Sequence, residues 1–497
     1  MGIFYNKTTF KVHRDAQEIP VKAKVDVLVC GGGPAGIGAA LGAAKGEVSV
    51  MIIEKNNCLG GLATTGLVTT FAGSSIFSDS EDDDPVVNRR QVIKGVVWEF
   101  IERLIQEDGA ISPEELNKTG QNDAATFDIE VYKRVADEIM EEWGINLLYH
   151  TMITGAIMDG ETIKGVVIEN KAGCQAILAD VIIDATGDGD VAYLAGASYK
   201  MGRDEDGKTQ PLTTMFRIGG MPEVGKEQIE KFSKYPKGKV QPYFLFWEAP
   251  EFIYGHVCIF GTPRKGEYRC EMTRSVDKNG LNPDDLTKAE IECRRQIPKI
   301  VEYFRKEYPG AENVYLIDSA GTVGVQDSRR IVGEYEMTMD DLLECREFED
   351  VIALGCYPID LHNPMGRGYD MRFIKYPGQA YGIPYRCIVP AKIENLLVAG
   401  RCISADFYAE SAIRISSTCM AIGEAAGTAA ALCVVKHKSP RDLDANLLRQ
   451  KLASQGVCLN NLYIILHWWM KSKAWRCEEA DICLSFFEVG RFIERWH

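Results

Sequence analysis

Three glycines, Gly31, Gly33 and Gly36, carry the spacing with the most definite chemistry in the chain. In a G-x-G-x-x-G turn the first glycine permits the tight turn, the second lets the backbone approach a pyrophosphate, and the third lets helix and strand pack closely. Pro34 and Ala35 fall where a helix begins, and a helix N-terminus holds a diphosphate through its free N–H groups and its dipole. Glu54 ends the next apolar run, where a carboxylate accepts hydrogen bonds from both ribose hydroxyls and repels a 2′-phosphate. The spacing alone would also suit a glycine-rich turn without function. Strand before, helix after and acid at the end of the next strand make it a dinucleotide site, for FAD or NAD rather than NADP.

Three later segments decide for FAD. Lys55-Asn-Asn-Cys-Leu-Gly60-Gly61-Leu-Ala-Thr-Thr65 follows Glu54 directly; a glycine pair there lets the backbone pass close to the ribityl and phosphate portion of a longer cofactor. The apolar run ending in Asp184-Ala-Thr-Gly187-Asp188 sets a small-residue turn at the end of a second buried strand. Leu396-Leu-Val-Ala-Gly400-Arg401 repeats strand then glycine and leads to a helix whose N-terminal dipole would face the flavin pyrimidine oxygen. Each is an ordinary strand end by itself; their joint order is not.

With these motifs in this order, the sequence resembles the FAD-dependent oxidoreductases of the glutathione reductase-type fold. It is most similar to the broad bacterial family that runs from a GGGPAG start through an ATGD turn to a stretch like AGRCIS...STCMAIGEAAGTAAAL. The resemblance extends to about residue 460. It implies that Gly31, Gly33, Pro34, Ala35, Gly36, Glu54, Lys55, Gly61, Thr65, Gly187, Asp188, Gly400 and Arg401 line the FAD. It implies little about substrate.

Flavin chemistry asks the protein for a substrate C–H held over N5, a group that takes or gives the proton, and charge near the N1/O2 edge. Ser328-Arg329-Arg330-Ile-Val-Gly-Glu334 offers paired arginines suited to a carboxylate or a reduced flavin anion, and salt bridges to neighbouring acids would explain them equally. Tyr357-Pro-Ile-Asp360-Leu-His362-Asn363-Pro sets His362 in a Pro-bounded polar loop as the acid-base group, with Asp360 able to orient its ring. Asp406-Phe-Tyr408-Ala-Glu410-Ser411-Ala-Ile-Arg414 lies between the Gly400 turn and the flavin-facing helix, so Tyr408, Glu410 and Arg414 read as substrate contacts. The catalytic set is therefore His362, Arg330, Tyr408 and Arg414. The leading expectation is a dehydrogenase or oxidase that passes a hydride from a small polar organic substrate to flavin N5, its electron acceptor unknown. One alternative is reduction of an activated C=C bond, with Arg330 or Arg414 as anchor or proton donor. Another is an electron-transfer flavoprotein without its own organic substrate, against which stand the missing Fe–S spacing and basic docking patch.

To position these groups the chain must supply strand, turn, helix and strand. Val25–Cys30, the Ala-rich stretch to Lys45 and Val48–Ile53 give that βαβ unit. A helix ending near Trp143 and three apolar stretches up to Asp184 read as helix and β-meander. A region from 200 to about 390, richer in aromatics and arginine, follows. The fold expected is α/β: a Rossmann-like FAD-binding domain of parallel sheet plus β-meander, discontinuous over 20–200 and 390–460, with an inserted α+β substrate or cap domain at 201–389. A helix of small residues runs from Ser411 to about Val435, and the acidic run Ser78–Pro85 reads as a solvated loop. The tail 461–497 holds four of the seven Trp and receives no function. The 56 basic against 71 acidic residues, a net charge of -15, argue against nucleic acid or an anionic membrane as partner. Among the 15 cysteines there is no C-x-x-C pair, so no metal site is expected; Cys58 and Cys402 also lack the spacing of a redox dithiol. No export signal or spanning segment is evident. A cytoplasmic protein, which could form a homo-oligomer, is expected.

Overall fold

The computed structural model describes residues 3–6, 11–14, 18–77, 89–112, 115–116, 126–241, 243–375 and 379–460. The acidic run at 78–85 and the Trp-rich tail at 461–497 lie outside the described residues.

β1 (Val21–Cys30), α1 (Pro34–Ala44) and β2 (Val50–Ile53) form the expected βαβ unit, with β1 and β2 parallel. β3 (Gly173–Asp184) lies on the other side of β1, also parallel to it. Strand Asn146–Leu148 extends the sheet beyond β2, and β4 (Leu396–Val398) joins the carboxyl-terminal half of the free edge of β3. The other half of that edge takes the antiparallel meander, Met152–Asp159 and Thr162–Asn170. The parallel strands are continuous apolar runs because helices and loops cover both faces: Val27, Leu28, Val29 and Cys30 are all fully buried. Their ends align. Leu148, Ile53, Cys30, Asp184 and Val398 stand side by side in one row across the sheet.

The helix expected from Ser411 is two helices, α2 (Phe407–Ile413) and α3 (Ser416–Lys436), because Ile415 turns extended at ψ 143. α3 lies against α1 with backbone touching backbone. A Cβ at Gly38 or Gly42 of α1, or at Gly423 or Gly427 of α3, would sit 2.0 to 2.3 Å from a carbonyl oxygen of the opposite helix. The small-residue stripe is therefore the condition for this close approach. α3 is long and apolar enough to cross a membrane by length and composition, but most of it is buried in this core.

A second sheet has six strands in the order Lys239–Gln241, Phe244–Glu248, His256–Gly261, Tyr268–Cys270, Phe216–Gly219, Tyr315–Ser319. One face packs Phe216, Leu245, Trp247, Val257 and Ile259 on the long helix Pro283–Glu307 through its Ile297, Ile300 and Phe304. The segment expected to form one insert, 201–389, is divided by its packing. Residues 216–314 build this second core, whereas Ile331, Met337, Ile352, Leu354, Tyr381, Ile383 and Val389 belong to the core of the parallel sheet. The hairpin Ile359–His362/Tyr369–Arg372 spans the two, with Ile359 and Leu361 in the first core and the His362 ring beside Tyr254 of the second unit.

Candidate functional site

Every glycine motif leaves the parallel sheet at the aligned row. Gly31 follows Cys30, Glu54 follows Ile53, the Gly187-Asp188 turn follows Asp184, and Gly400-Arg401 follows Val398. The ladder runs one step further through Gly31 N–H to the Ile53 carbonyl at 2.8 Å and Ala399 N–H to the Asp184 carbonyl at 2.9 Å. Gly31 has φ +102°, and a Cβ there would lie 2.5 Å from the Ala185 carbonyl oxygen. At Gly36 a Cβ would lie 1.9 Å from the Gly31 carbonyl oxygen, and at Gly33 it would meet no atom within 4 Å. So Gly33 borders open space, at the start of α1, whose N-cap makes no side-chain capping bond. The Gly60-Gly61 loop docks onto this turn through Gly60 N–H to the Gly32 carbonyl at 2.7 Å, and Thr65 Oγ1 donates to the Gly61 carbonyl at 2.8 Å. Glu54 is buried, its Oε2 accepting the Gly32 N–H at 2.7 Å and its Oε1 the Asn56 N–H at 2.8 Å. Arg401 Nη2 donates to Asp188 Oδ1 at 2.8 Å and Nη1 to Ser328 Oγ at 2.7 Å. Burial works against charge on Asp188, but Arg401, Ser328 and the nearby Lys55 outweigh it and hold the carboxyl below its ordinary range. Asp184, beneath them, is pushed up to about 6 by burial, although Ala192 N–H and Thr186 Oγ1 donate to it. A dinucleotide diphosphate fits this mouth: space at Gly33, an uncapped helix N-terminus, a carboxylate for ribose and an exposed Lys55 at its edge.

Arg401 also leads toward a second, polar cluster. Arg401, Arg330 and Arg414 all bear electrostatically on Glu410 of α2, which burial and Asp327 nonetheless raise well above the carboxylate range. Glu410 Oε2 accepts from Gln210 Nε2 at 3.4 Å. Gln210 Oε1 in turn accepts the His362 N–H at 3.2 Å and Arg414 Nη2 at 3.4 Å. Arg414 caps the end of α2, and its Nη2 also donates to the Asp360 carbonyl at 3.1 Å. His362 Nδ1 lies 2.7 Å from Arg274 Nη2, while its Nε2 stands 3.9 Å from Glu271 Oε1 and 4.0 Å from Asp360 Oδ2. Since a guanidinium only donates, Nδ1 accepts and the proton of the neutral ring sits on Nε2. Burial, followed by Arg274 and Arg414, holds the imidazole well below its ordinary pKa. Burial raises Asp360 and Glu271, against the pull of Arg414 on the first and Arg269 on the second.

A family model described as FAD dependent oxidoreductase matches residues 26–452, which takes in both clusters. The chain is an FAD-dependent oxidoreductase. Among curated proteins there is no significant match. Similar solved structures include a geranylgeranyl bacteriochlorophyll reductase-like protein from Thermoplasma acidophilum, 14% identical over 88% of this chain and 84% of that one, TM-score 0.41. The p-nitrophenol 4-monooxygenase of Pseudomonas putida is 12% identical over 87% and 84%, TM-score 0.43. The L-proline dehydrogenase of P. horikoshii is 15% identical over 88% and 100%, TM-score 0.40. Assignment to the family rests on the family model.

The cofactor of this flavoenzyme is FAD, and its expected lining residues surround one mouth. The expected catalytic residues divide. His362 and Arg414 come together, but His362 ends a four-residue strand and is buried, rather than lying in a loop. Its Nε2 is a hydrogen-bond donor, which removes it as the base. Arg330 is locked: Nη1 donates to Asp327 Oδ1 at 2.8 Å, Nη2 to the Gly202 carbonyl at 2.8 Å and Nε to the Ala405 carbonyl at 3.1 Å. The Tyr408 hydroxyl points away, 3.5 Å from Glu205 Oε1, with the Arg372 guanidinium over its ring. Gln210, Glu271 and Arg274 also contact His362, and the sequence expectation does not contain them. A signal existed: charges at Arg269 and Glu271 alternate with buried Tyr268, Cys270 and Met272, and a charged row on a buried strand needs a polar counterpart. Among the described residues no group of acids, His and Cys is placed to hold a metal.

Proposed function

We propose that this flavoenzyme oxidises a secondary hydroxyl-bearing carbon of a small polar substrate, by hydride transfer from that C–H bond. One observation carries the reading: the gap of 3.9 to 4.0 Å between the protonated Nε2 of His362 and the carboxylates of Glu271 and Asp360. Whatever enters must accept a hydrogen bond from Nε2 and donate one to a carboxylate, and a hydroxyl does both. FAD, when bound, supplies the hydride acceptor. As the C–H bond gives up its electron pair with the hydride, Asp360 takes the hydroxyl proton and the carbon becomes a carbonyl. Its oxygen keeps the hydrogen bond from His362 and faces the Arg414 charge. An external acceptor of unidentified kind then removes the two electrons. Burial of Asp360 makes it a stronger base than a solvated aspartate. The parallel sheet edged by a three-stranded meander supports the glutathione reductase-type reading of the fold.

The raised, protonated Glu410 also supports a reading in reverse, with Glu410 as proton donor to a reduced C=C bond. Anaerobic mixing with 2-hydroxy acids and polyols separates the two. The first reading expects one of them to bleach the flavin's visible band, about 10²- to 10⁴-fold more slowly in Asp360→Asn. Flavin that stays oxidised with all of them, yet is reoxidised by an enone after dithionite reduction, overturns it.

A further inference from the structure

Strand alternation sends Leu245, Trp247, Val257 and Ile259 into the helix-packed core of the second sheet, so Phe244, Phe246, His256 and Phe260 lie on its opposite face. The hairpin covers part of this face, Tyr369 packing on Phe246 and His256. Phe244, Phe246 and Phe260 remain half-buried there, their rings in mutual contact. Centroids of Phe260 and Phe244 are 5.0 Å apart, those of Phe244 and Phe246 5.9 Å, and those of Phe246 and His256 5.1 Å with planes at 17°. The row ends at the proposed reaction centre. Tyr254 lies 5.8 Å from His256 and 5.9 Å from His362, and Tyr369, which pairs with His362 in the hairpin, stands 5.2 Å from His256.

Two polar groups beside the row are unsatisfied. The Arg269 guanidinium lies 4.0 Å above the Phe260 ring, is almost wholly buried, and has no partner for Nε. His256 is buried with neither ring nitrogen hydrogen-bonded, and burial, followed by the Lys237 charge, holds its imidazole below its ordinary pKa. The Nε–H groups of Arg274 and Arg414 are likewise buried without a partner. Three guanidinium N–H groups around the site thus lack an acceptor.

Resting on the hydroxyl-oxidation reading, we infer that the substrate is an aromatic hydroxy acid. Its ring stacks along Phe246 and Phe260, its hydroxyl lies between His362 and Asp360, and its carboxylate accepts from an unpartnered guanidinium N–H. Stacking of a ring on these side chains gains affinity beyond area burial, a gain that an aliphatic polyol lacks.

The test uses two sets of probes on the flavin-loaded full chain. Benzoate and acetate, neither of which can be oxidised there, are titrated against the flavin visible spectrum. 3-Phenyllactate and lactate are mixed anaerobically. Benzoate is expected to shift the band, acetate not, and Phe246→Leu and Phe260→Leu to weaken benzoate by about tenfold each; phenyllactate is expected to bleach the flavin at least tenfold faster than lactate. Benzoate binding without oxidation of either hydroxy acid sinks the hydroxyl reading and with it the hydroxy acid as substrate, and leaves only an aromatic-carboxylate site. Equal oxidation of lactate and phenyllactate, with no benzoate shift, sinks the inference and spares that reading. Benzoate binding that both Phe variants leave unchanged also overturns the inference.

Discussion

The glycine turn at Gly31 and the cluster around His362 present their binding groups by opposite means. The turn works through backbone N–H groups and through missing side chains: no Cβ at Gly31 or Gly36, where carbonyl oxygens stand, and none at Gly33, where the mouth opens. The cluster works through side chains whose charges are buried beside one another, drawn from strands, a hairpin and a helix end far apart in the chain. A site of the first kind is written in one short stretch of sequence. The second exists only once two units have packed.

The sharpest way to break this contrast is within the turn. Gly36→Val should yield no soluble folded protein, because its Cβ would enter the Gly31 carbonyl. Gly33→Val should fold with an unchanged circular dichroism spectrum and purify without flavin, since its side chain occupies only the open mouth. Equal behaviour of the two would show that the turn is not divided between packing and binding.

A second contrast lies between two arginines of the cluster. Arg330→Met leaves Asp327 buried without its cation and should cost about 3–5 kcal/mol in urea unfolding. Arg414→Ala, at a half-buried helix end, should cost about 1 kcal/mol yet lower kcat/KM at least about tenfold. A buried charge within the cofactor unit sharpens the comparison further. Glu424 accepts the Val96 N–H at 3.0 Å, and burial pushes its pKa up to about 7 from 4.5. A raised folded-state value means that its stabilisation is complete below pH 4.5 and is lost as pH climbs to about 7. Over that window the loss is about 3 kcal/mol. In Glu424→Gln the melting temperature should lose that component of its pH slope. The smallest effect is expected from Tyr408→Phe, within about 0.5 kcal/mol and with kcat unchanged, because its hydroxyl reaches only Glu205 at 3.5 Å.

The same contrast explains how much was legible in the sequence. Gly31 to Glu54, the Gly187-Asp188 turn and Gly400-Arg401 were readable because each is a strand end with its own local geometry, and the aligned row collects them. Pro358 and Pro364 bracket His362 as they would a loop residue, yet both prolines lie just outside a four-residue strand. Arg330 looked available, although its partner Asp327 stood three residues earlier. Gln210 and Arg274 carried no local mark at all. Gln210 reaches Glu410 and Arg274 reaches His362 only by tertiary contact between distant segments.

β3 receives its last neighbour late. Its carboxyl-terminal edge is paired by β4, whose residues follow Asp184 in the chain by roughly 200 positions. At a synthesis rate of about 5–20 residues per second the growing polypeptide leaves that parallel edge unpaired for on the order of 10–40 s. An open strand edge is a template for another chain. The nascent protein therefore depends on whatever shields Ile182–Asp184 on the ribosome until Leu396–Val398 emerge, and slow elongation between them should lower yield more than slow elongation after them.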